Sequence, residues 1–540
     1  MYTSKAWARI LPSYARRAPL VLFLILALYV VFRVVTLPRD PMHAQGFPHD
    51  AAYLAIVAQN LHAGKGFVLD ALWLVCLQPA RLPMPYHNAN PLFPVMTAGA
   101  MGLFGLDAPS AGFLISALSS AGLMLALFFL LKRYVPNPRA AFGAAALAAL
   151  FPPVWGLSWV AITDVTWVMF VAALLAALVR SDKLAMAALA GVFFGLAWLV
   201  RSAAIMLVPA LVIWLLLTHG WRRALSRFAL LGITAAAISS PWLIHTAKIW
   251  GSPFRSDAGP TMDLQVQAWQ RNEPVARVFH WPTPAPPWAS ILKEHPKAFI
   301  AHCIQYAVSA LIRELFRSST DSSYAALALL TALSLLMLSL SPRVLGTPGF
   351  ISVLVYAAFL IALLSIGADT AEGRYFILLH TLFAAWLFVS VYRTWSDFRE
   401  GRRGWVRLSA ILLAAGYLFV LLPRSDWRYA RRSNSISPQN FEYMQTAQSI
   451  NRTITGGSPV IVGMYPYFYT VSTGAQALAI PESDDGYLLE YMKKYHARFI
   501  FLSEEERAFW RPSWKSENTL PRGIRLVYAP LRGYYVYQKD

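Results

Sequence analysis

Asp50 stands in Pro48-His49-Asp50-Ala51-Ala52-Tyr53 at the head of an apolar stretch, and Asp164 follows Ile162-Thr163 at the head of another. A carboxylate so placed can take a proton from a nucleophile, the work of a general base. Arg201 ends Trp198-Leu199-Val200-Arg201, and Arg374 sits in Glu372-Gly373-Arg374-Tyr375. A guanidinium can grip two phosphate oxygens at once, and Gly373 permits close backbone approach. His87 and Asn90 lie in Tyr86-His87-Asn88-Ala89-Asn90-Pro91, downstream of Lys65. Plainer readings stand beside these. Asp50 and Asp164 also suit N-caps, and Arg201 and Arg374 suit side chains reaching from helix ends to lipid headgroups.

The elements that must position these residues are membrane-spanning. Of 540 residues, 57% are hydrophobic and 14% charged, against roughly 25% charged in soluble chains, which excludes a soluble multidomain enzyme. Long apolar runs without period-two alternation exclude an outer-membrane barrel. The two cysteines, Cys76 and Cys303, are too far apart for a metal knuckle or redox motif. Lys and Arg number 47 against 27 Asp and Glu, but the excess falls in short loops, so no nucleic-acid partner is needed.

Apolar runs at 18–37, 109–131, 140–155, 164–179, 184–200, 203–217, 228–244, 324–340, 349–366, 375–392 and 408–422 predict about eleven transmembrane helices. The first lacks a small-residue cleavage site and reads as an uncleaved span. With the N-terminus inside, every inner segment is basic: Arg16 and Arg17, Lys132 and Arg133, Arg180 and Lys183, Arg222 and Arg223, Arg343, Arg402 and Arg403. The short outer turns 158–163 and 368–373 hold no Lys or Arg. That asymmetry predicts N-in, and an odd span count puts the C-terminus outside. Residues 1–423 then form a transmembrane catalytic domain with outer loops 38–108 and 245–323. Residues 424–540 form a soluble extracytoplasmic α/β domain of about 100 residues, with strand-like runs at 459–462, 498–502, 524–528 and 534–537. Asp50, Asp164, Arg201 and Arg374 all fall on the outer face, where a base and cations can converge on a substrate headgroup at the lipid surface.

Several stretches, in order, resemble the GT-C glycosyltransferases, specifically the protein O-mannosyltransferase and lipid A aminoarabinose transferase superfamily. They are Pro48 to Tyr53 with Leu61-His62-Ala63-Gly64-Lys65-Gly66, Asn90-Pro91-Leu92 through Leu103-Phe104-Gly105, Thr163-Asp164-Val165, Gly195 to Arg201, Ser240-Pro241-Trp242 with Gly251-Ser252-Pro253-Phe254, and Gly373-Arg374-Tyr375. The tail is similar to the extracytoplasmic domain of some such enzymes through Tyr467 to Gly474 and Ile480-Pro481.

The resemblance implies an inverting glycosyltransferase, a hexosyl- or pentosyltransferase. Such an enzyme moves a sugar from a polyprenyl-phosphate donor to a lipid, glycan or protein acceptor on the periplasmic side of a bacterial inner membrane. It makes Asp50 the catalytic carboxylate and Asp164 a second acidic position. Inversion needs a base on the acceptor, and the departing lipid phosphate needs positive charge. Arg374 and Arg201 are the candidates for that charge, and His87, Tyr53, Asn90, Lys65, Tyr375 and Glu372 complete the expected substrate-binding set. Two departures from the family stand out: Ala51 where many relatives have Glu, and Asn90 where the aminoarabinose transferases have Lys. No metal site is assigned; a divalent ion on Asp50, Asp164 and His87 is the alternative, disfavoured by so few hard ligands. A transporter or flippase of polyprenyl-linked sugars is the competing function. It calls for ionisable residues inside spans and paired broken helices, of which Arg33 and Pro209 are the nearest traces.

Overall fold

The computed structural model describes residues 49–86, 91–135, 137–150, 152–254, 258–273, 277, 279–316, 438–454, 460–514, 517–528 and 533–539, with short helical pieces at 28–29, 351–352, 354–359, 377–379, 381–382, 384–385, 389 and 392. Helix α1 (His49–His62) leads into the short strands β1 (Val68–Leu69), β2 (Ala71–Leu72) and β3 (Met84–Pro85). Helices α2 (Leu92–Phe104) and α3 (Ala108–Leu131) follow. At 24 residues and 1.5 Å per residue, α3 is long enough to cross a bilayer core of about 30 Å. Its start is set by Asp107, whose side chain accepts from Ser110 N.

The expected span 140–155 is interrupted. Helix α4 (Pro138–Ala149) ends with Leu150 as its C-cap, and a separate short helix, α5 (Pro152–Leu157), follows. Pro152 and Pro153 lack the N–H donors that would continue α4, and they suit the first turn of a new helix instead. Helices α6 (Asp164–Leu178) and α7 (Leu184–Val200) match their runs closely. Pro209 breaks nothing: it occupies the first turn of α8 (Val208–His219), where its missing N–H is harmless. Helix α9 (Trp221–Trp250) is longer than its apolar run and contains Pro241. By length and composition, three helical segments among the described residues can cross a membrane: Ala108–Leu131, Ser202–His219 and Trp221–Trp250.

Two glycines fix how the site-bearing helices meet. A Cβ on Gly191 would fall 2.3 Å from the Leu231 carbonyl, so α7 and α9 pack backbone to backbone there. A Cβ on Gly112 would fall 2.8 Å from Cβ of Ala161, which presses α3 against the turn preceding Asp164. The α3–α6 contact is tied by Ser119 Oγ and Thr166 Oγ1 at 2.7 Å.

Beyond α10 (Ala258–Arg271), α11 (Trp288–Glu294) and α12 (Pro296–Phe316), the tail contributes α13 (Pro438–Ile454), β4 (Val460–Gly463), α14 (Pro466–Thr473), β5 (Ala477–Ala479), α15 (Asp485–Lys494), β6 (Ala497–Ser503), α16 (Glu504–Trp510), β7 (Ile524–Tyr528) and β8 (Tyr534–Lys539). The sheet order is β2-β5-β4-β6-β8-β7. Strands β2, β5, β4 and β6 are parallel, and β8 and β7 add antiparallel at the far edge. The tail does not make this sheet alone. Ala71 and Leu72 of the first loop pair with Ala477 and Leu478, and all four are buried, as parallel strands require.

Candidate functional site

Asp50 occupies the first turn of α1 and is exposed, while every residue from Ala51 to Ala58 behind it is buried. The helix buries its body and presents this carboxylate. Its position follows from its neighbours: Ala51 and Leu54 share a narrow crevice with Phe93, Gly112 and Ala161. The helix carrying Asp50 therefore lies beside the turn that leads into Asp164.

Asp164 is the first residue of α6, and the N-cap residue Thr163 makes no side-chain cap. Its carboxylate is bound to Arg201 instead, Oδ1 accepting from a guanidinium nitrogen at 2.5 Å. The pair is buried, with side-chain exposures of 1% for Asp164 and 15% for Arg201. Arg201 reaches it because the chain leaves α7 in an extended conformation, φ −155° and ψ 121°, before the 3-10 turn Ser202–Leu207. Its guanidinium carbon also lies 6.0 Å from the Trp167 ring centre, and that ring lies 6.5 Å from Tyr356. Both candidates thus belong to one buried assembly. Arg201 spends part of its charge on Asp164, and neither residue reads as a plain cap or a headgroup-seeking side chain.

Tyr53, one turn beyond Asp50, is buried between Tyr86, 5.6 Å away, and Tyr467 of α14, 5.1 Å away. Lys65 is 56% exposed and lies 3.9 Å from Asp70. His87, Asn90, Glu372, Arg374 and Tyr375 lie outside the described residues. Among the described residues no three His, Cys, Asp or Glu side chains stand together as metal ligands. Asp164, one of the three ligands considered for a divalent ion, is paired with Arg201.

Two polar junctions escaped the sequence reading. Asp70 accepts from Asn60 Nδ2 at 2.8 Å and from Gln476 Nε2 at 3.4 Å, fastening the end of α1 to the tail sheet. His280 is wholly buried where residues 280–282 meet the tail. Its Nδ1 lies 2.7 Å from the Ile480 carbonyl and therefore carries the donated proton, and its own carbonyl accepts from Glu482 N at 2.7 Å. Trp281 Nε1 donates to Glu482 at 3.1 Å, and Arg277 pairs with Glu482 as well. The ring sits 4.5 Å from Trp510 and 5.5 Å from Trp73. Burial in this apolar box pushes His280 down to about 4. Burial has the opposite effect on the Glu506 carboxyl of α16, pushed up to about 7. The sequence offered one usable signal: a Pro- and Trp-rich loop facing a polar tail.

Residues 87–245 match the family of dolichyl-phosphate-mannose-protein mannosyltransferases. No curated protein matches the chain in sequence. Among solved structures, the ArnT of Cupriavidus metallidurans bound to undecaprenyl phosphate is similar with a TM-score of 0.56 at 14% identity, over 96% of this chain and 98% of that one. The oligosaccharyltransferase of Archaeoglobus fulgidus, in complex with Zn and sulfate, gives 0.56 at 13% identity over 96% and 73%. The same enzyme tethered to an acceptor peptide with the NVT sequon gives 0.54 at 12% identity over 96% and 74%. The resemblance drawn from the ordered motifs therefore holds at the level of architecture: this chain has the GT-C glycosyltransferase fold.

Proposed function

We propose that the protein is an inverting glycosyltransferase that moves a hexose or pentose from a polyprenyl-phosphate carrier to an acceptor on the outer, periplasmic face of a bacterial inner membrane. The observation that carries this reading is the exposed Asp50 carboxylate at the head of an otherwise buried helix, beside the buried Asp164–Arg201 pair. An exposed carboxylate on a rigid element can take the acceptor proton as the acceptor attacks the anomeric carbon. Asp164 does different work. Its charge is matched by Arg201, so it orients the floor of the site and holds the guanidinium in place.

The donor phosphate calls for positive charge at the site. Arg374, flanked by Gly373 and Tyr375, and Lys65, whose side chain is half exposed, are the residues assigned to it, with His87, Asn90 and Glu372 completing the donor surface. The tail sheet, joined to the first loop through β2, forms the outer wall from which the acceptor approaches. A bound undecaprenyl phosphate in a structure of the same fold supports a carrier of this class.

The test is turnover by purified protein with undecaprenyl-phosphate sugars, comparing Asp50→Asn with the parent. The amide keeps the shape and loses the base, so transfer should fall about a hundredfold or more while the folded yield stays the same. Near-normal turnover in Asp50→Asn would reduce the residue to a helix cap.

A further inference from the structure

The buried assembly around Asp164 contains three polar atoms with no hydrogen-bond partner: Asp164 Oδ2, Trp167 Nε1 and Tyr356 Oη. Asp164, Trp167 and Tyr356 are 1%, 2% and 1% exposed, so water does not reach them from outside. Asp164 and Trp167 are three residues apart on α6 and share one face of that helix. Trp167 contacts Tyr356, from helical residues 354–359, and Arg201 closes the group from the end of α7. Folded proteins leave few buried polar atoms unsatisfied, because each one forfeits the hydrogen bonds it made to water. The three here belong to side chains linked in one chain of contacts, Asp164 to Arg201, Arg201 to Trp167 and Trp167 to Tyr356, so one entering ligand could serve as their partner.

The chemistry of the three atoms says what that partner is. The indole N–H only donates, the carboxylate oxygen only accepts, and the phenol does both. A neutral hydroxyl answers all three. A phosphate is excluded by the free carboxylate oxygen, which would repel a second anion while Arg201 is already matched. A metal ion is excluded by the guanidinium and the indole N–H, neither of which has a lone pair to give.

We propose that Asp164, Trp167 and Tyr356 form a recognition site for a hydroxyl group, and that the hydroxyl belongs to the sugar carried by the donor lipid. This rests on the transferase reading and deepens it: Asp50 acts on the acceptor, Arg374 and Lys65 meet the phosphate, and the Asp164 cluster reads the sugar. The sugar hydroxyl reaches them by a local parting of α6 from residues 354–359, and its hydrogen bonds to the three unsatisfied atoms offset part of the cost of that parting. Trp167 and Tyr356 then act as specificity-determining residues. A sugar lacking the hydroxyl that fits would leave all three atoms as they are now, and sites of this kind discriminate strongly against such analogues.

The experiment compares thermal unfolding of the full chain in detergent for the parent, Tyr356→Phe and Trp167→Phe. Each is measured alone, with undecaprenyl phosphate, and with undecaprenyl phosphate carrying mannose, glucose or arabinose. Without ligand, Tyr356→Phe should melt no lower than the parent, because the hydroxyl it removes has no partner. At least one sugar-bearing lipid should stabilise the parent beyond the bare lipid phosphate, and both variants should lose that extra part, with binding weakened about tenfold or more. If no sugar adds to the effect of the bare lipid, or if Tyr356→Phe keeps the full gain, the site is overturned. A ligand-free Tyr356→Phe that melts several degrees lower with its sugar gain intact would identify a retained water, and would also overturn it. Turnover by the parent, measured on the same samples, separates the two levels. Transfer without a Tyr356-dependent gain removes only the hydroxyl site, whereas a Tyr356-dependent gain without transfer removes the transferase reading and leaves a sugar-lipid binding site.

Discussion

Taken alone, His280 should make the junction of residues 280–282 with the tail weaken on acidification, and the size of its contribution follows from its burial. The ordinary pKa of 6.5 falls to about 4 in the folded protein. Between those values the unfolded chain binds a proton that the folded chain refuses. The contribution to stability is therefore complete above pH 6.5 and is lost as pH falls toward 4. At roughly 1.4 kcal/mol per pH unit this amounts to about 3 kcal/mol. Glu506 works against it. Its carboxyl rises from 4.5 to about 7, so its contribution is present below pH 4.5 and is lost as pH rises through 7. The two slopes oppose each other across the same window, and the parent protein should show little net dependence there. Glu506→Gln separates them, since glutamine keeps the reciprocal cap with Ser503 and does not titrate. In that background, unfolding followed by tryptophan fluorescence should show the junction gaining stability from pH 4 to 6.5, with Trp73 and Trp510 flanking the imidazole as reporters. Adding His280→Asn, which keeps a donor near Ile480, should lower stability at neutral pH and flatten the slope. A slope that survives in Glu506→Gln/His280→Asn would refute the assignment to His280.

Arg201→Leu alone should destabilise by roughly 3–5 kcal/mol because it strands the buried Asp164, and Asp164→Leu/Arg201→Leu should recover much of that loss; equal melting temperatures for the single and double variants would show that the pair is not coupled. Arg374→Lys keeps the charge and loses the planar fork, so donor binding and turnover should both weaken, whereas an exposed pair with Glu372, worth about 0–1 kcal/mol, would leave them unchanged. A single cysteine at Ser483 should react with a membrane-impermeant thiol reagent from outside while one at Arg402 is protected, and the reverse pattern would invert the topology.

The fold was legible in the sequence wherever local chemistry decides. Strands Val460–Gly463, Ala497–Ser503, Ile524–Tyr528 and Tyr534–Lys539 lie where β-branched and aromatic runs placed them. What stayed hidden was pairing across distance. Ala71 and Leu72 make a strand only because Ala477 and Leu478 lie beside them, and two small apolar residues carry no pattern of their own. Asp70 and Gln476 meet across 406 positions. His280 looks like any loop histidine until Trp73, Trp510 and Ile480 close around it.

The same distinction separates the two aspartates. In the sequence, Asp50 and Asp164 are each an acid at the head of an apolar run and each suits a cap, and only the family resemblance sets Asp50 apart as the catalytic carboxylate. Their surroundings divide them. Asp50 is exposed at the head of its helix, while Asp164 is sealed with one oxygen held by Arg201 and the other unsatisfied. A base must meet its substrate to take a proton. A buried carboxylate bound to a guanidinium is better suited to orient neighbouring groups and receive a hydrogen bond. The proposed division of labour rests on this difference in exposure and pairing, and Asp164→Asn should tell the roles apart: the amide retains a carbonyl for Arg201 but weakens the pair. Stability and donor binding should then suffer first, with a smaller loss in the rate of transfer from bound donor than Asp50→Asn produces. An Asp164→Asn variant that binds donor normally and has lost all transfer would reverse the two assignments.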